Sequence, residues 1–190
     1  MSSDADNRTD ADLVSAINAG DQQAFACLYH RHRDWVVRLA FRLTGHQEDA
    51  LDVLQETFAY LVRKFPGFVL TAQMTTFLYP AVKNLSIAAR RKRQRSLGAD
   101  CDTGLFAESA ADSVSEQTQR DEFSVMLGEL SESHREILLM RFVDEMTQPE
   151  IAAALDLPLG TVKSRLHHAI QAVKNSPAAA KLQQERSDKD

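Results

Sequence analysis

Cysteine and long apolar runs are scarce in this sequence, and each shortage excludes a class of protein. The two cysteines, Cys27 and Cys101, form neither a disulfide framework nor a paired metal-ligand motif. No segment approaches the roughly 18 apolar residues that a membrane helix needs, and the acidic N-terminus lacks the apolar core of a signal peptide. We therefore expect a cytoplasmic protein that is not inserted in a membrane.

The net charge of −5 hides two segments of opposite charge. Six basic residues and no acidic one lie between Lys83 and Arg95, which predicts a surface that attracts polyanions. Between Ser96 and Glu122, seven acidic residues oppose the single Arg120, among Ser, Ala, Gly and Thr. This composition has too few large apolar groups to offset the entropy of chain ordering, so it is typical of a linker.

The linker composition divides the chain into two predicted helical domains. On both sides of it, apolar residues recur every three or four positions, and no segment alternates as a strand does. We predict an all-α protein with domains at 12–95 and 123–175, a linker at 96–122 and a tail at 176–190. Each core is small, so each domain is expected to be marginally stable alone.

The first domain is predicted to hold four helices. The first covers residues 12–19, and the second follows the N-cap Asp21 and ends at Gly45. The third covers about residues 48–65, and the fourth covers about residues 76–93. The predicted core positions of the last two helices are Ala50, Val53, Leu54, Phe58, Leu61, Val62 and Phe65, followed by Leu78, Val82, Leu85 and Ala89.

Phe77, Asn84 and Arg91 are spaced seven residues apart on the predicted fourth helix, so they share one face. An aromatic ring, an amide and a guanidinium beside the basic segment could stack on bases and hold phosphates. The alternative is a buried ring, a solvated amide and a solvated basic helix end. Spacing alone leaves both interpretations open.

A helix-turn-helix pattern extends over residues 147–170 of the second domain. Thr147 and Glu150 form a capping box, and a turn at 156–160 precedes a helix at 161–174. In such a unit the second helix lies in the DNA major groove, where its early outward residues contact base edges. The outward candidates are Lys163, Ser164, His167 and His168, with Arg165 better placed for phosphate. The alternative, a three-helix packing module, is disfavoured because the solvent face of the last helix has no acid.

A further helix is predicted before this unit, from Ser133 to Val143. Ser133 and Glu136 have the spacing of a second capping box. This helix is predicted to pack through Ile137, Leu138, Met140 and Phe142.

Three segments of the chain resemble a known bacterial family, the extracytoplasmic-function sigma factors of RNA polymerase. They are AGDQQAFACLYHRH at 19–32, EDALDVLQETFAYL at 48–61 and LSESHREILLMRFVDEMTQPEIAAALDLPLGTVKSRLHHA at 130–169. The family keeps the second and fourth conserved sigma regions, and the resemblance covers about residues 12–95 and 123–175. It implies a protein that binds core RNA polymerase and directs initiation at promoter DNA, with no catalytic residue, metal or cofactor of its own. An anti-sigma factor is a further partner that the family implies.

The resemblance assigns three candidate sites by matching residues. The surface that docks on the coiled coil of the largest polymerase subunit matches Asp49, Asp52, Gln55 and Glu56, and acidic side chains suit a basic helical partner. The part that melts and reads the minus-ten element matches Phe77, Lys83 and Asn84, with Arg90, Arg91, Lys92 and Arg93 on backbone phosphates. The loop at 69–73 matches the pocket for a flipped base. The residues that read the minus-thirty-five element match Thr161, Lys163, Ser164, Arg165, His167 and His168.

Four residues depart from the family pattern. Phe77 replaces the usual Trp, and Leu51 replaces an acidic residue of the docking face. His168 replaces an Arg, which would contact guanine through two hydrogen bonds. Pro80 replaces an Arg. Because an interior proline disrupts a helix, either the fourth helix starts near Phe77 or it kinks at Pro80.

Two other classes of protein compete with this interpretation. A stand-alone helix-turn-helix regulator usually dimerises to match a two-fold operator, and no helix of the sequence is dedicated to dimerisation. A metal protein is suggested by Cys27, His30 and His32. Cys27 and His30 can share a helix face, but His32 points elsewhere and no fourth ligand has suitable spacing. We therefore expect neither a metal site nor an enzyme.

Overall fold

The computed structural model describes residues 7–96 and 127–176, which contain seven α-helices and no strand. The chain divides into two compact units. The first unit contains α1 (Asp10–Asn18), α2 (Gln22–Thr44), α3 (Gln47–Val62) and α4 (Met74–Ser96), and the second contains α5 (Glu132–Phe142), α6 (Gln148–Leu155) and α7 (Leu159–Lys174). The predicted all-α class is confirmed. Most of the predicted linker, and the tail after residue 176, lie outside the described residues.

Side-chain caps set the starts of α1 and α2. Thr9 and Asp12 form a capping box that starts α1 at Asp10, two residues earlier than predicted. Asp21 caps α2 as predicted, because its Oδ1 accepts hydrogen bonds from the backbone N–H groups of Gln23 and Ala24 at 2.9 and 3.1 Å. Gly45 ends α2 with a left-handed φ of 75°.

The core of the first unit lies where α2, α3 and α4 pack together. Leu28, Leu39 and Leu43 of α2 are fully buried there. The predicted extension of α3 to Phe65 is wrong, because α3 ends at Val62 and leaves that side chain 49% exposed. Apolar character alone did not distinguish a residue in the last helical turn from a core residue.

Pro80 lies inside α4, so the predicted alternative in which the helix starts near Phe77 is wrong. The backbone N–H of Phe77 already donates to the carbonyl of Gln73 at 3.1 Å. Pro80 cannot donate to the carbonyl of Thr76, four residues earlier. Leu78 and Tyr79 are buried at this turn, so tertiary packing offsets the lost hydrogen bond.

Ser131, rather than Ser133, caps α5, which corrects the predicted Ser133–Glu136 capping box. The Oγ of Ser131 accepts from the backbone N–H of His134 at 3.4 Å, and Glu136 is buried. Phe142 is 61% exposed, so its predicted role in packing is also wrong. The buried positions of this helix are Glu136, Ile137, Leu138, Leu139 and Met140.

The capping box of Thr147 and Glu150 is confirmed at the start of α6. A carboxylate oxygen of Glu150 accepts from the backbone N–H and the hydroxyl of Thr147 at 2.6 and 2.7 Å. Asp156 ends α6 in the left-handed conformation, with φ 52° and ψ 49°. The helix α7 begins at Leu159 rather than Thr161, so the turn is shorter than predicted. Within residues 7–96 and 127–176, no helix is both long and apolar enough to cross a membrane.

Candidate nucleic-acid interface

The outward face of α7 carries the side chains predicted to read DNA. Lys163, Ser164, His167 and His168 are exposed, whereas Thr161 and Arg165 are partly buried. The opposite face, formed by Val162, Leu166 and Ala169, is buried against the unit. The helical period therefore separates an apolar packing face from a face of hydrogen-bond donors and acceptors, which is the arrangement a major-groove helix needs.

The rings of His167 and His168 lie next to each other at the centre of this face. Their centroids are 5.7 Å apart, with an edge-to-face angle of 74°. Each neutral imidazole has one donor and one acceptor nitrogen, so both can contact base edges in the groove. Lys163, about one turn earlier on α7, adds the positive charge.

The basic end of α4 presents a second face for a polyanion. Asn84, Arg91 and Lys92 are exposed, as the predicted strip requires, and Lys83, Arg90 and Arg93 are partly buried. The exposed cations occupy adjacent positions near the end of the helix. A cluster of this kind contacts phosphates without reading base sequence.

Phe77 is partly buried in a group of aromatic rings, so neither the core nor the exposed-ring interpretation describes it fully. Its ring centroid is 6.1 Å from that of Tyr60 in a near-parallel arrangement and 4.6 Å from that of Phe68 in a tilted one. Phe65 contacts Phe68 at 5.6 Å, and the ammonium of Lys64 lies 4.7 Å from the centroid of Tyr60. The packing fixes the position of the Phe77 ring.

The segment between α3 and α4 is attached to α1 through Asn18. The amide Oδ1 of Asn18 accepts from the backbone N–H of Gly67 at 2.7 Å, and its Nδ2 donates to the carbonyl of Phe68 at 2.8 Å. Gly67 has a φ of 102°, which side chains rarely tolerate. The sequence did not predict this contact. Asn18 lies 49 positions before Gly67 and 50 before Phe68, and no periodic pattern connects residues so far apart.

The predicted docking face lies on α3. Asp52, Gln55 and Glu56 are exposed, Asp49 is partly buried, and Leu51 is 44% exposed beside them. A groove of about 400 Å³ separates this face from α4. Its lining includes Asp49, Asp52 and Glu56 from α3, and Leu85, Lys92 and Arg93 from α4.

An ion pair crosses this groove and joins two of the predicted sites. The Nε of Arg93 donates to Oδ2 of Asp49 at 2.7 Å, and its Nη2 donates to Oδ1 at 3.2 Å. Glu48 lies farther away, at 3.7 Å. The hydrogen bond with Asp49 raises the pKa of Arg93, which stays charged. A predicted phosphate contact is therefore engaged by a predicted docking acid.

His32, considered above as a metal ligand, is buried and bonds Asp10. Its Nε2 lies 2.9 Å from Oδ2 of Asp10, and Arg31 donates to Oδ1 at 2.7 Å. Because an ionised carboxylate only accepts, the proton of this bond belongs to the imidazole. Burial alone would raise the pKa of Asp10, but the hydrogen bonds from His32 and Arg31 outweigh it and lower that pKa. Among the residues that the structure describes, no group of three potential ligands could hold a metal ion.

The sequence matches two conserved family regions, Sigma-70 region 2 over residues 28–96 and Sigma-70 region 4 over residues 126–175. It is 25% identical over 173 residues to the ECF RNA polymerase sigma factor SigW of Bacillus subtilis (strain 168), covering 85% of this chain and 92% of the relative. It is 30% identical over 164 residues to the ECF RNA polymerase sigma factor SigL of Mycobacterium tuberculosis (strain H37Rv), covering 85% of this chain and 93% of the relative.

Solved structures share the fold. CnrH, in a complex with the cytosolic domain of CnrY, superimposes with a TM-score of 0.64 at 22% identity, over 87% of this chain and 94% of that one. The sigma factor RpoE of Bartonella quintana, in a complex with the anti-sigma factor NepR, superimposes with a TM-score of 0.57 at 20% identity. The match covers 75% of this chain and 89% of that one. The two region matches and the 30% identity over almost the whole relative confirm the resemblance, and this chain belongs to the ECF family of RNA polymerase sigma factors.

Proposed function

We propose that this chain binds core RNA polymerase through residues 12–95 and directs initiation at promoters whose upstream duplex is read by residues 123–175. The observation that carries the proposal is the outward face of α7, which is exposed and free of acids while its opposite face is buried. The polymerase supplies the catalysis of RNA synthesis. Because that enzyme works in the cytoplasm, this chain acts there as well.

The docking surface consists of Asp52, Gln55 and Glu56 with Asp49 beside them. Asp52, Gln55 and Glu56 are exposed on one face of α3, and the negative charge of the two carboxylates suits a basic helical partner. Leu51, 44% exposed in the same stretch, adds apolar area to the contact. Charges of this kind speed association and orient the partner more than they add affinity.

The DNA contacts are divided between the two units. We propose that Phe77, Lys83 and Asn84 contact the unpaired minus-ten strand, with Arg90, Arg91, Lys92 and Arg93 near its phosphates. The minus-thirty-five duplex is contacted by Thr161, Lys163, Ser164, Arg165, His167 and His168. Two modest contacts on one polymerase act together through effective concentration, so neither needs high affinity alone.

An anti-sigma factor is a further proposed partner. The solved structure of RpoE holds the anti-sigma factor NepR, and that of CnrH holds the cytosolic domain of CnrY. A sequestering protein would limit the amount of free factor that competes for polymerase.

Reconstitution with core RNA polymerase tests the proposal against a stand-alone helix-turn-helix regulator. The purified full chain should form a stable complex with the core enzyme and produce transcripts with defined start sites. A stand-alone regulator would bind DNA without the polymerase and would leave its start sites unchanged.

A charge reversal tests the docking surface within the same experiment. Asp52→Lys should weaken polymerase binding strongly. Asp34→Lys changes an acid of α2 whose side chain is 69% exposed, and it should bind as the wild type does. Equal binding by both variants would contradict the assignment of the docking face.

A further inference from the structure

We infer that Asn18 of α1 is a positioning residue for the capture of unpaired DNA, because it fixes the segment that packs Phe68 against Phe77. The inference rests on the proposed function, in which Phe77 contacts the unpaired strand. Asn18 lies before the matched Sigma-70 region 2, which begins at residue 28. It touches neither the basic end of α4 nor the docking face by any hydrogen bond that the described residues show.

Asn18 holds the connection between α3 and α4 through both polar atoms of its side-chain amide. A primary amide can accept a hydrogen bond through its oxygen and donate one through its nitrogen at the same time. At Asn18 the two distances are 2.7 Å to Gly67 and 2.8 Å to Phe68. Both are short for bonds of this type, and together they fix the position and the orientation of the segment. Gly67, at a φ of 102°, has the conformation that presents its N–H in this contact.

Phe68 connects this segment to Phe77. The Phe68 ring lies 4.6 Å from the Phe77 ring, and Tyr60 lies on α3 at 6.1 Å. Tyr60 and Phe77 are held as parts of the regular helices α3 and α4, whereas Phe68 lies in the non-helical connection between them. The Asn18 bond to the Phe68 backbone therefore helps, together with the Phe65 ring, to hold the Phe68 ring beside Phe77.

Most of the residues between Phe68 and α4 are exposed. Val69 is 73% exposed, and residues 71–73 are exposed as well, immediately before α4 begins at Met74. An exposed non-helical segment beside a partly open aromatic ring is a surface on which an unpaired base can stack. Such a surface binds more tightly when it is fixed in advance, because less entropy is lost on binding.

The test compares Asn18→Ala with Ser15→Ala in the full chain bound to core polymerase. Ser15 is exposed on the same helix, and its hydroxyl donates only to the Ala11 carbonyl among the described contacts, so it is a matched control. The probe is a single-stranded DNA of the non-template strand, taken from a promoter whose start site the wild-type holoenzyme defines. Losing two hydrogen bonds that order the segment should weaken binding of this strand about fivefold. Ser15→Ala should bind as the wild type does.

Three controls separate positioning from a general structural role. Affinity for core polymerase and for double-stranded minus-thirty-five DNA should stay within about twofold of wild type, a change of under about half a kcal/mol. Transcription from a promoter with a pre-opened bubble should fall less than transcription from the closed duplex. Amide hydrogen exchange at Gly67 should become faster in Asn18→Ala.

Asn18→Asp guards against a variant that fails to fold. The carboxylate of this variant still accepts from the N–H of Gly67 but cannot donate to the carbonyl of Phe68. The affinity of Asn18→Asp for the single-stranded DNA should therefore lie between those of the wild type and Asn18→Ala. Unchanged or tighter binding of the strand by Asn18→Ala, or an equal loss of polymerase binding, would overturn the inference. A wild-type chain that produces no defined starts would instead overturn the proposed function.

Discussion

Arg91 and Arg93 are the same residue type two positions apart on α4, yet the structure gives them different surroundings. Arg93 is held by both carboxylate oxygens of Asp49, at 2.7 and 3.2 Å, whereas Arg91 is exposed on the helix surface. A guanidinium already engaged by a carboxylate has fewer donors for a phosphate. We therefore expect Arg91→Ala to remove a full phosphate contact and Arg93→Ala to remove much less of one.

The size of the effect follows from counterion release. Each phosphate contact adds about 0.9 to the slope of log affinity against log salt concentration on duplex DNA, and about 0.7 on single strands. A fourfold rise in salt therefore lowers affinity by about 3.5-fold per duplex contact and about 2.6-fold per single-strand contact. Over such a salt range the promoter affinity of Arg91→Ala should fall less than that of the wild type. The difference should be about 3.5-fold if the lost contact is to duplex DNA and about 2.6-fold if it is to a single strand. Arg93→Ala should keep nearly the wild-type slope.

The assay is promoter binding by the reconstituted holoenzyme, measured at several salt concentrations between about 50 and 200 mM. Core polymerase binding is measured separately for each variant. Arg93→Ala should weaken core binding more than Arg91→Ala, because the ion pair that holds α4 against the docking face of α3 is lost. Equal salt slopes for the two variants would refute the division of roles, as would a larger change for Arg93→Ala.

Three further predictions concern single side chains. Thr147→Ala should cost about 1 kcal/mol of stability in the second unit, seen as faster hydrogen exchange of the α6 amides, because the capping box is lost; unchanged exchange would contradict the cap's role. His168→Ala should weaken the base preference at one position of the minus-thirty-five element. Gln171→Ala, an exposed control on the same helix, should leave that preference unchanged. A uniform loss of affinity across DNA sequences would instead make His168 a contact to the DNA backbone. Asp10→Asn should lower the free energy of unfolding at pH 7. Although burial opposes it, the hydrogen bonds from His32 and Arg31 lower the folded-state pKa of Asp10, so the stability that the carboxylate adds is present above the usual pKa of an aspartate and is lost as the pH falls through the lowered pKa. Denaturation of both proteins from pH 7 to about pH 2 should therefore show the difference in stability disappearing. A constant difference would contradict the His32 and Arg31 contacts.

Local sequence signals predicted most of the helices and their ends. Asp21, Gly45 and the Thr147–Glu150 pair act through side chains and backbone within a few residues of each other, so their effects are readable from sequence. The errors lie where tertiary contacts decide. Ser131 and Ser133 are both suitable caps by type, but α5 begins at Glu132, so Ser133 lies inside the helix and cannot cap it. Pro80 remains inside α4 because of the core around it.

The candidate sites show the same division between local and distant information. The exposed face of α7 follows from the helical period, so sequence predicts which side chains point outward. Other contacts join distant parts of the chain. Asn18 and Gly67 are separated by 49 positions, and Asp49 and Arg93 by 44, so no periodicity connects either pair. The partial burial of Phe77 likewise depends on Phe68, which lies in a segment without regular structure.

The Asp49–Arg93 pair also changes which charges are available to partners. Asp49 neutralises a cation of α4, so Asp52 and Glu56 supply the exposed negative charge of the docking face, and Arg91 and Lys92 supply the exposed positive charge for phosphates. If Asp49 acts mainly by pairing the two helices, its position matters more than its sign. Asp49→Arg alone should then weaken core polymerase binding, and adding Arg93→Asp should restore most of it, because the exchanged charges can pair across the same groove. A double variant that binds polymerase no better than Asp49→Arg would instead make Asp49 a direct contact, since an arginine there would still repel a basic partner.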